Sequence, residues 1–198
     1  MTELDLIQQE LVGCTRCKLH EQRGKLVFGV GSPEARIMLV GEAPGKDEDL
    51  QGEPFVGECG RELDMLLGKA GLDRSQVYIT NVVKCRPPGN RDPEPVEITA
   101  CLPYLQRQIE VIRPKVLVGI GRYAAQRLSM TFGTMDSLLS MFGLSYLMAD
   151  ETIIPVIPIY HPSYLLRSGR GKNPKSAAIY ARTIEALENA KAYQERTL

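Results

Sequence analysis

A short apolar run that ends in a glycine-rich, acidic turn constrains the fold more than any other feature of this sequence. The run Ile37–Val40 leads into Gly-Glu-Ala-Pro-Gly at 41–45 and then into Lys-Asp-Glu-Asp at 46–49. Consecutive apolar residues of this kind predict a strand buried on both faces, as in a parallel sheet. Glycine and proline then end the strand and let the main chain approach a ligand closely. Because ligands bind beyond the carboxyl ends of strands in open α/β sheets, we interpret this turn as part of a binding site.

Two known phosphate-binding loops do not fit this turn. A Walker loop needs four residues between its glycines and then Lys and Ser or Thr. Here three residues separate Gly41 from Gly45, and Lys46 is followed by an acid. A Rossmann fingerprint directly follows its strand, whereas the segment 29–31 (Gly-Val-Gly) precedes this one. Both nucleotide-binding loops are therefore excluded.

Three further apolar runs predict the rest of the sheet. They span 77–83, 116–121 and 153–159, and two prolines in the last run favour an edge or an irregular end. Apolar residues at helical spacing predict helices over residues 4–12 and 60–70, before Ile112, near 124–128 and over 177–187. Residues 131–150 have a weaker pattern, compatible with one helix and a turn. The sequence predicts an α/β fold: a single three-layer domain, 1–198, with a mostly parallel four-stranded central sheet flanked by helices.

Charge and composition limit the kinds of partner and compartment. Lys and Arg number 24 and so do Asp and Glu, so any surface for a polyanion must be local. The sequence has no apolar run of about 18 residues and no signal-peptide layout at its start, so we expect no membrane association. We expect a cytoplasmic protein, in which thiols stay reduced and the five cysteines suggest metal ligands before disulfides.

Four of the cysteines follow the spacing C-x2-C-x67-C-x15-C, formed by Cys14, Cys17, Cys85 and Cys101. A C-x-x-C pair can be a redox dithiol, half of a metal site or a coincidence. A thioredoxin-like pair opens a helix after a strand, which this one does not. Four thiolates suit zinc as well as an iron–sulfur cluster. Cys59 has no partner at ligand spacing, so we interpret it as a packing residue.

Three residues near the predicted strand ends are candidates for ligand contact. Asn81 lies in the second strand, where asparagine is rare, so it either caps a neighbouring loop or binds the amide-like edge of a ligand. Phe55 lies between turn residues and is either a loop anchor or a stacking surface. His161 ends the fourth strand and is a structural residue or a functional one. Its position at a strand end favours function.

Two basic segments are candidates for phosphate contact. The first leaves the second strand and carries Lys84, Arg86 and Arg91, which are solvated surface or a binding face. The second follows His161 and holds Arg167, Arg170, Lys172 and Lys175 without an acid.

Together these residues resemble the family 4 uracil-DNA glycosylases, the iron–sulfur branch of their superfamily. The resemblance runs from Cys14 to about Arg167. It depends on the four cysteines, Gly-Glu-Ala-Pro-Gly at 41–45, Phe55, Asn81 and His-Pro-Ser at 161–163. Each motif alone is weak, but the set in this order is specific.

The resemblance implies a cofactor and a base pocket. Cys14, Cys17, Cys85 and Cys101 would hold one 4Fe-4S cluster that fixes the N-terminal segment. Substrate would contact Gly41, Glu42, Ala43, Phe55, Asn81 and His161. Phe55 would stack on a flipped uracil, worth about 1–3 kcal/mol, and Asn81 would pair with its edge. His161 and the main-chain N–H groups at Glu42 and Ala43 would stabilise the uracil anion as the glycosidic bond breaks.

The resemblance leaves the residue that positions the water open. Ala43 stands where a related family has an aspartate, so Glu42 and Glu48 are the candidates. A second related family reacts covalently through its histidine and has an Arg-rich insertion ahead of it. The segment 157–161 has none, which favours hydrolysis.

The implied partner is uracil-containing DNA, single- or double-stranded, bound by a monomer. Extruding a base costs a few kcal/mol, and Leu165 and Leu166 are either core residues or a wedge that fills the vacated space. The DNA-binding residues would be Arg86, Arg91, Ser163, Leu165, Leu166, Arg167, Arg170 and Lys172. The alternatives are a non-catalytic or covalently reacting uracil-DNA binding protein, or an iron–sulfur electron carrier.

Overall fold

The fold is built around a six-stranded sheet in the computed structural model, which describes residues 1–141 and 143–195. The strands are β1 (Val30–Gly31), β2 (Ile37–Gly41), β3 (Val77–Asn81), β4 (Val116–Ile120), β5 (Ser145–Leu147) and β6 (Ile153–Ile159). Their order in the sheet is β1-β3-β2-β4-β6-β5. The inner strands β3, β2, β4 and β6 run parallel, and the edge strands β1 and β5 are antiparallel to their neighbours.

The sheet confirms the α/β class and contains all four predicted strands. The predicted total of four strands is wrong, because the sheet has six. Strands β1 and β5 contain only two and three residues, too few to give a readable pattern. The fourth predicted strand is β6, which lies inside the sheet and not at its edge. Its Pro158 is tolerated because the N–H of Val156, two residues earlier, donates to Leu144 on the β5 side. At Pro158, which faces the same side, β5 has already ended, so no ladder bond is lost.

Helices cover both faces of the sheet. They are α1 (Glu3–Val12), α2 (Lys46–Gln51), α3 (Glu58–Lys69), α4 (Pro95–Ile112), α5 (Arg122–Ser129), α6 (Met135–Ser140), α7 (Pro162–Ser168) and α8 (Pro174–Glu195). The predicted helices correspond to α1, α3, α4, α5 and α8, whereas α2 and α7 were missed. Across the described ranges, no helix combines the length and the apolar character that a membrane crossing requires.

Alternate residues of β2 pack on opposite faces of the sheet. Met38 and Val40 belong to a core that includes apolar residues of α1, α4 and α5. Ile37 and Leu39 belong to a second core with residues of α3, α7 and α8. This burial on both faces explains the unbroken apolar run. The two cores hold the parallel strands in register, and their carboxyl ends meet along one edge of the sheet.

Candidate active site

A cavity of about 710 Å³ lies at the carboxyl ends of the parallel strands. It is lined by residues from the turns after β2, β3, β4 and β6 and from the loop before α3. Among its lining residues are Glu42, Ala43, Glu48, Phe55, Asn81, Arg91, His161, Ser163 and Arg167. The structure therefore brings together sequence-predicted residues that are up to 125 positions apart, from Glu42 to Arg167.

Gly41, Phe55 and Asn81 form the tightly packed inner wall of this cavity. A Cβ atom added to Gly41 would lie 2.3 Å from Oδ1 of Asn81 and 2.7 Å from Cζ of Phe55. Phe55 adopts a left-handed main-chain conformation, with φ of 53°. A Cβ atom on Gly60 would lie 1.9 Å from the main-chain oxygen of Phe55. Two glycines therefore make room for the Phe55 ring and its unusual backbone, which positions the ring beside Asn81.

Asn81 presents an unused hydrogen-bonding atom at the cavity. Its side chain is only 2% exposed, and its Oδ1 has no hydrogen-bond partner among the described residues. A buried acceptor without a partner costs about 1–3 kcal/mol. The cavity is the place from which a ligand could supply the missing donor, so this atom indicates a binding site.

His161 is held as a neutral hydrogen-bond donor. Its Nδ1 accepts a hydrogen bond from the main-chain N–H of Ser163 at 3.1 Å, which leaves the proton of the neutral ring on Nε2. Burial lowers the pKa of His161 to about 4, Arg167 adds to this shift and Glu48 opposes it. Gly121, at φ of 84°, makes room for the ring, because a Cβ atom there would lie 3.2 Å from Cβ of His161.

The two candidate carboxylates have different environments. Oε1 of Glu48 accepts the main-chain N–H groups of Val56 at 3.1 Å and Gly57 at 3.3 Å and so fixes the loop around Phe55, while Oε2 accepts that of Gly45 at 3.1 Å. The main-chain oxygen of Glu42 accepts from the N–H of Val83 at 3.0 Å, but its carboxylate accepts no hydrogen bond from any residue that the structure describes. Burial raises the pKa of Glu42 to about 7, with a further increase from Asp92 and an opposing effect from Arg122. Glu42 is therefore the carboxylate that is free to act on a ligand.

Three residues that the sequence predicts to contact DNA are ion-paired or buried within the protein. Arg91 forms a two-pronged ion pair with Glu97, at 2.6 and 2.9 Å. Arg170 lies 3.0 Å from Oε2 of the fully buried Glu62. Leu165 is 0% exposed and belongs to the α3–α7–α8 core, so the wedge interpretation is wrong for this residue in the described conformation.

Other predicted contacts stay open to solvent or to the cavity. Leu166 is half-buried, and Arg167 is exposed at the cavity. Lys172 is also exposed, and Arg86 donates to Asn90 at 2.7 Å.

Sequence reasoning missed two rim residues. Arg122 directly follows Gly121, the first residue after β4, a signal that strand-end reasoning could have used. Tyr164 is 38% exposed and stacks on Tyr160, with ring centroids 5.4 Å apart.

The four motif cysteines surround a second, small cavity. Cys14, Cys17, Cys85 and Cys101 line it together with Arg23 and Lys84, whereas Cys59 lines the large cavity instead. Arg23 donates to Sγ of Cys85 at 3.4 Å. In the part of the chain that the structure describes, no group of three or more His, Cys, Asp or Glu is arranged to hold a single metal ion. We call these four residues the cysteine centre. Its donor set and its N–H groups directed at sulfur fit an iron–sulfur cluster.

Lys84, predicted as part of a basic surface loop, is fully buried beside this centre. Burial lowers the pKa of its ammonium group to about 7, and a thiolate at Cys101 raises it. Burial also raises the pKa of the Cys101 thiol to about 11, so any metal bound there would have to displace the proton.

The fold and the cavity define an α/β protein with a candidate binding site at the strand ends, and comparison with known proteins identifies its class. A model of the uracil DNA glycosylase superfamily matches residues 28–185. A type-4 uracil-DNA glycosylase from Sulfurisphaera tokodaii is 48% identical over 169 residues, 84% of this chain and 77% of that protein.

Two further relatives come from the same branch and from a second branch of the superfamily. A type-4 uracil-DNA glycosylase from Thermotoga maritima is 40% identical over 192 residues, 96% of this chain and 94% of that protein. A type-5 uracil-DNA glycosylase from Thermus thermophilus is 35% identical over 146 residues, 66% of each chain. The chain therefore belongs to the uracil DNA glycosylase superfamily and, within it, to the type-4 uracil-DNA glycosylases.

Proposed function

We propose that this chain is a DNA repair enzyme that hydrolyses the N-glycosidic bond of uracil in DNA and leaves an abasic site. The observation that carries the proposal is the unpartnered, buried Oδ1 of Asn81 at the wall of a cavity that also contains Phe55 and His161. The type-4 relatives support the same activity. The substrate is uracil-containing DNA, single- or double-stranded, bound by a monomer.

Asn81 and Phe55 carry recognition of the base. Oδ1 of Asn81 accepts the N3–H of uracil and its Nδ2 donates to O4, while the Phe55 ring stacks on the base. Cytosine presents a donor at N4 and an acceptor at N3, so both hydrogen bonds would be lost. A site built on buried hydrogen bonds rejects such an edge by roughly 10⁴-fold or more.

His161 and Glu42 carry the chemistry. As the glycosidic bond stretches, charge accumulates on uracil O2, and the Nε2–H of His161 donates to this atom. A neutral donor suits this role because uracil leaves as an anion that keeps the electron pair of the broken bond. The free carboxylate of Glu42 orients the attacking water and stabilises the cationic sugar. Glu48 serves by holding the Phe55 loop.

We assign DNA contact to the basic residues that form no salt bridge with another residue that the structure describes. Arg167, exposed at the cavity, contacts phosphates together with the exposed Lys172 and the half-buried Arg86. Ser163 orients His161 and lies at the cavity where the flipped nucleotide enters. Leu166 is the remaining candidate to fill the vacated space in a duplex.

We also propose that Cys14, Cys17, Cys85 and Cys101 hold a 4Fe-4S cluster. The shared cavity and the N–H groups of Arg23 and Lys84 directed at sulfur support this assignment. When bound, the cluster supplies covalent cross-links between the N-terminal segment, the exit of β3 and α4. The reacting atoms are handled by Glu42, Asn81 and His161, none of which is a ligand.

The test is incubation of the protein with a uracil-containing oligonucleotide, followed by alkaline cleavage at abasic sites and detection of free uracil. Hydrolysis predicts free uracil and a cleavable strand. A binding protein without catalysis predicts retained DNA with neither product, and a covalently reacting protein predicts a stable adduct. An electron carrier predicts a reversible redox signal without specific binding to uracil-containing DNA. Any of these three results would overturn the proposal.

A further inference from the structure

Lys84 is the largest fully buried side chain of the described residues, and all its hydrogen-bonding capacity is used. Its Nζ lies 2.6 Å from Oγ1 of Thr80, 2.7 Å from the main-chain oxygen of Asn81 and 2.6 Å from Oε1 of Gln108. An ammonium group has three N–H donors, so this shell is complete. Burying a lysine is costly, and the partners here are neutral oxygens rather than a carboxylate.

The hydrogen bond from Lys84 to the main chain of Asn81 takes the place of a strand partner, because β1 ends before it reaches Asn81. On one side, β3 pairs with β2 as far as Gly41 and Asn81. On the other side, β1 pairs only with Tyr78 and Ile79, so the main-chain oxygen of Asn81 has no strand partner there. Nζ of Lys84 occupies that place. The main chain at Asn81, whose side-chain amide is proposed to recognise the base, is thus held by β2 and by Lys84.

The main chain of Lys84 is tied to the cysteine centre. Its N–H donates to Sγ of Cys101 at 3.3 Å, and the next residue is Cys85. One residue therefore contacts the main chain of Asn81 through its side chain and a cysteine ligand through its backbone.

We propose that Lys84 is a positioning residue for uracil recognition, which fixes the main chain of Asn81 and links this support to the cysteine centre. The inference rests on the proposed role of Asn81 in the enzyme. The amide oxygen of Asn81 has no partner of its own in the described structure, so its placement depends on the backbone that Lys84 holds. Without the Lys84 side chain this segment can shift. The activity then falls because Asn81 is no longer held in position.

A double-mutant cycle tests this dependence. Lys84→Met, Asn81→Ala and the double variant are compared with the wild type in single-turnover cleavage of uracil-containing DNA. We expect Lys84→Met to lower the rate by about 10- to 100-fold, the size of one lost hydrogen bond from a charged donor. In the Asn81→Ala background the same change should lower it by less than about twofold, because nothing remains to be positioned. Lys115→Met, which alters an exposed lysine before β4, is the matched control and should leave the rate unchanged.

Absorbance near 400 nm separates this effect from loss of the cluster. Lys84→Met keeps the main-chain N–H to Cys101, so we expect its absorbance to match the wild type. Equal rate losses in both backgrounds, or loss of the absorbance, would overturn the inference. Wild-type cleavage by Asn81→Ala would instead overturn the proposed function.

A milder variant covers the case in which Lys84→Met does not fold. Gln108→Leu withdraws one acceptor from Nζ, together with the Nε2 donors to the main-chain oxygen of Phe28 and to the Tyr78 hydroxyl, and leaves Lys84 in place. We expect a smaller rate loss that again disappears in the Asn81→Ala background. A loss of equal size in both backgrounds would contradict the inference.

Discussion

The pH dependence of cleavage should report the ionisation of Glu42 and not that of His161. Burial raises the pKa of Glu42 to about 7, and it lowers that of His161 to about 4. An ionised Glu42 is needed to orient water, so the rate should rise with pH. For a pKa of about 7, roughly 9% of molecules are ionised at pH 6 and roughly 91% at pH 8, a tenfold increase. An ordinary glutamate would be almost fully ionised at pH 6 and give no rise.

The charged neighbours of Glu42 allow the direction of the shift in its pKa to be tested. Asp92 raises its pKa and Arg122 lowers it. Asp92→Asn should therefore move the midpoint of the profile to lower pH, and Arg122→Gln should move it to higher pH. The assay is single-turnover cleavage with enzyme in excess at saturating concentration, so that weaker DNA binding does not distort the rates.

Two active-site variants complete the test. Glu42→Gln should remove the rise near pH 7, because the group that titrates is gone. His161→Ala should lower the rate by roughly 10²–10³-fold and keep the rise, because its own pKa lies far below. A rise that persists in Glu42→Gln, or a midpoint that neither Asp92→Asn nor Arg122→Gln moves, would refute the assignment of Glu42.

Three other variants, two of them with a matched control, test base recognition, packing at the site and the proposed cofactor. Asn81→Asp offers no donor to uracil O4 at neutral pH, so single-turnover release of uracil should fall by roughly 10²-fold or more. Gly41→Ala should abolish base binding, because its Cβ would lie 2.3 Å from Oδ1 of Asn81, whereas Gly68→Ala, exposed in α3, meets nothing within 4 Å and should keep activity without lowering the melting temperature. Cys85→Ser should lower the iron content and the absorbance near 400 nm, while Cys59→Ser, in the other cavity, should leave both unchanged.

The parallel strands could be predicted because both of their faces are buried. The runs that begin at Ile37, Val77 and Val116 needed no tertiary information, since a strand between two helical layers is apolar throughout. The edge strands could not be predicted in this way. A two-residue strand such as β1 has no period, and it exists because β3 offers it a ladder.

Residues of the candidate site could be predicted where they lie at strand ends. The prediction failed where partners distant in the sequence determine whether a side chain is buried or paired. Asn81 is the last residue of β3, His161 follows β6, and both line the cavity. The burial of Lys84 depends on Gln108, which is 24 positions away on α4. The partner of Arg170 is Glu62, 108 positions earlier on α3. In each case the sequence around the basic residue is typical of a solvated loop, and only the fold supplies the buried partner.

The strand ends divide the proposed work among separate segments. The exit of β2 carries Glu42 for the water, the exit of β3 carries Asn81 for the base, and the exit of β6 carries His161 for the leaving group. Of these exits, only that of β3 continues into the cysteine centre, because Cys85 lies four residues beyond Asn81. In the proposed arrangement the cluster therefore acts on recognition through the β3 exit. Hydrolysis itself depends on two segments that reach the same cavity without contributing a cysteine ligand.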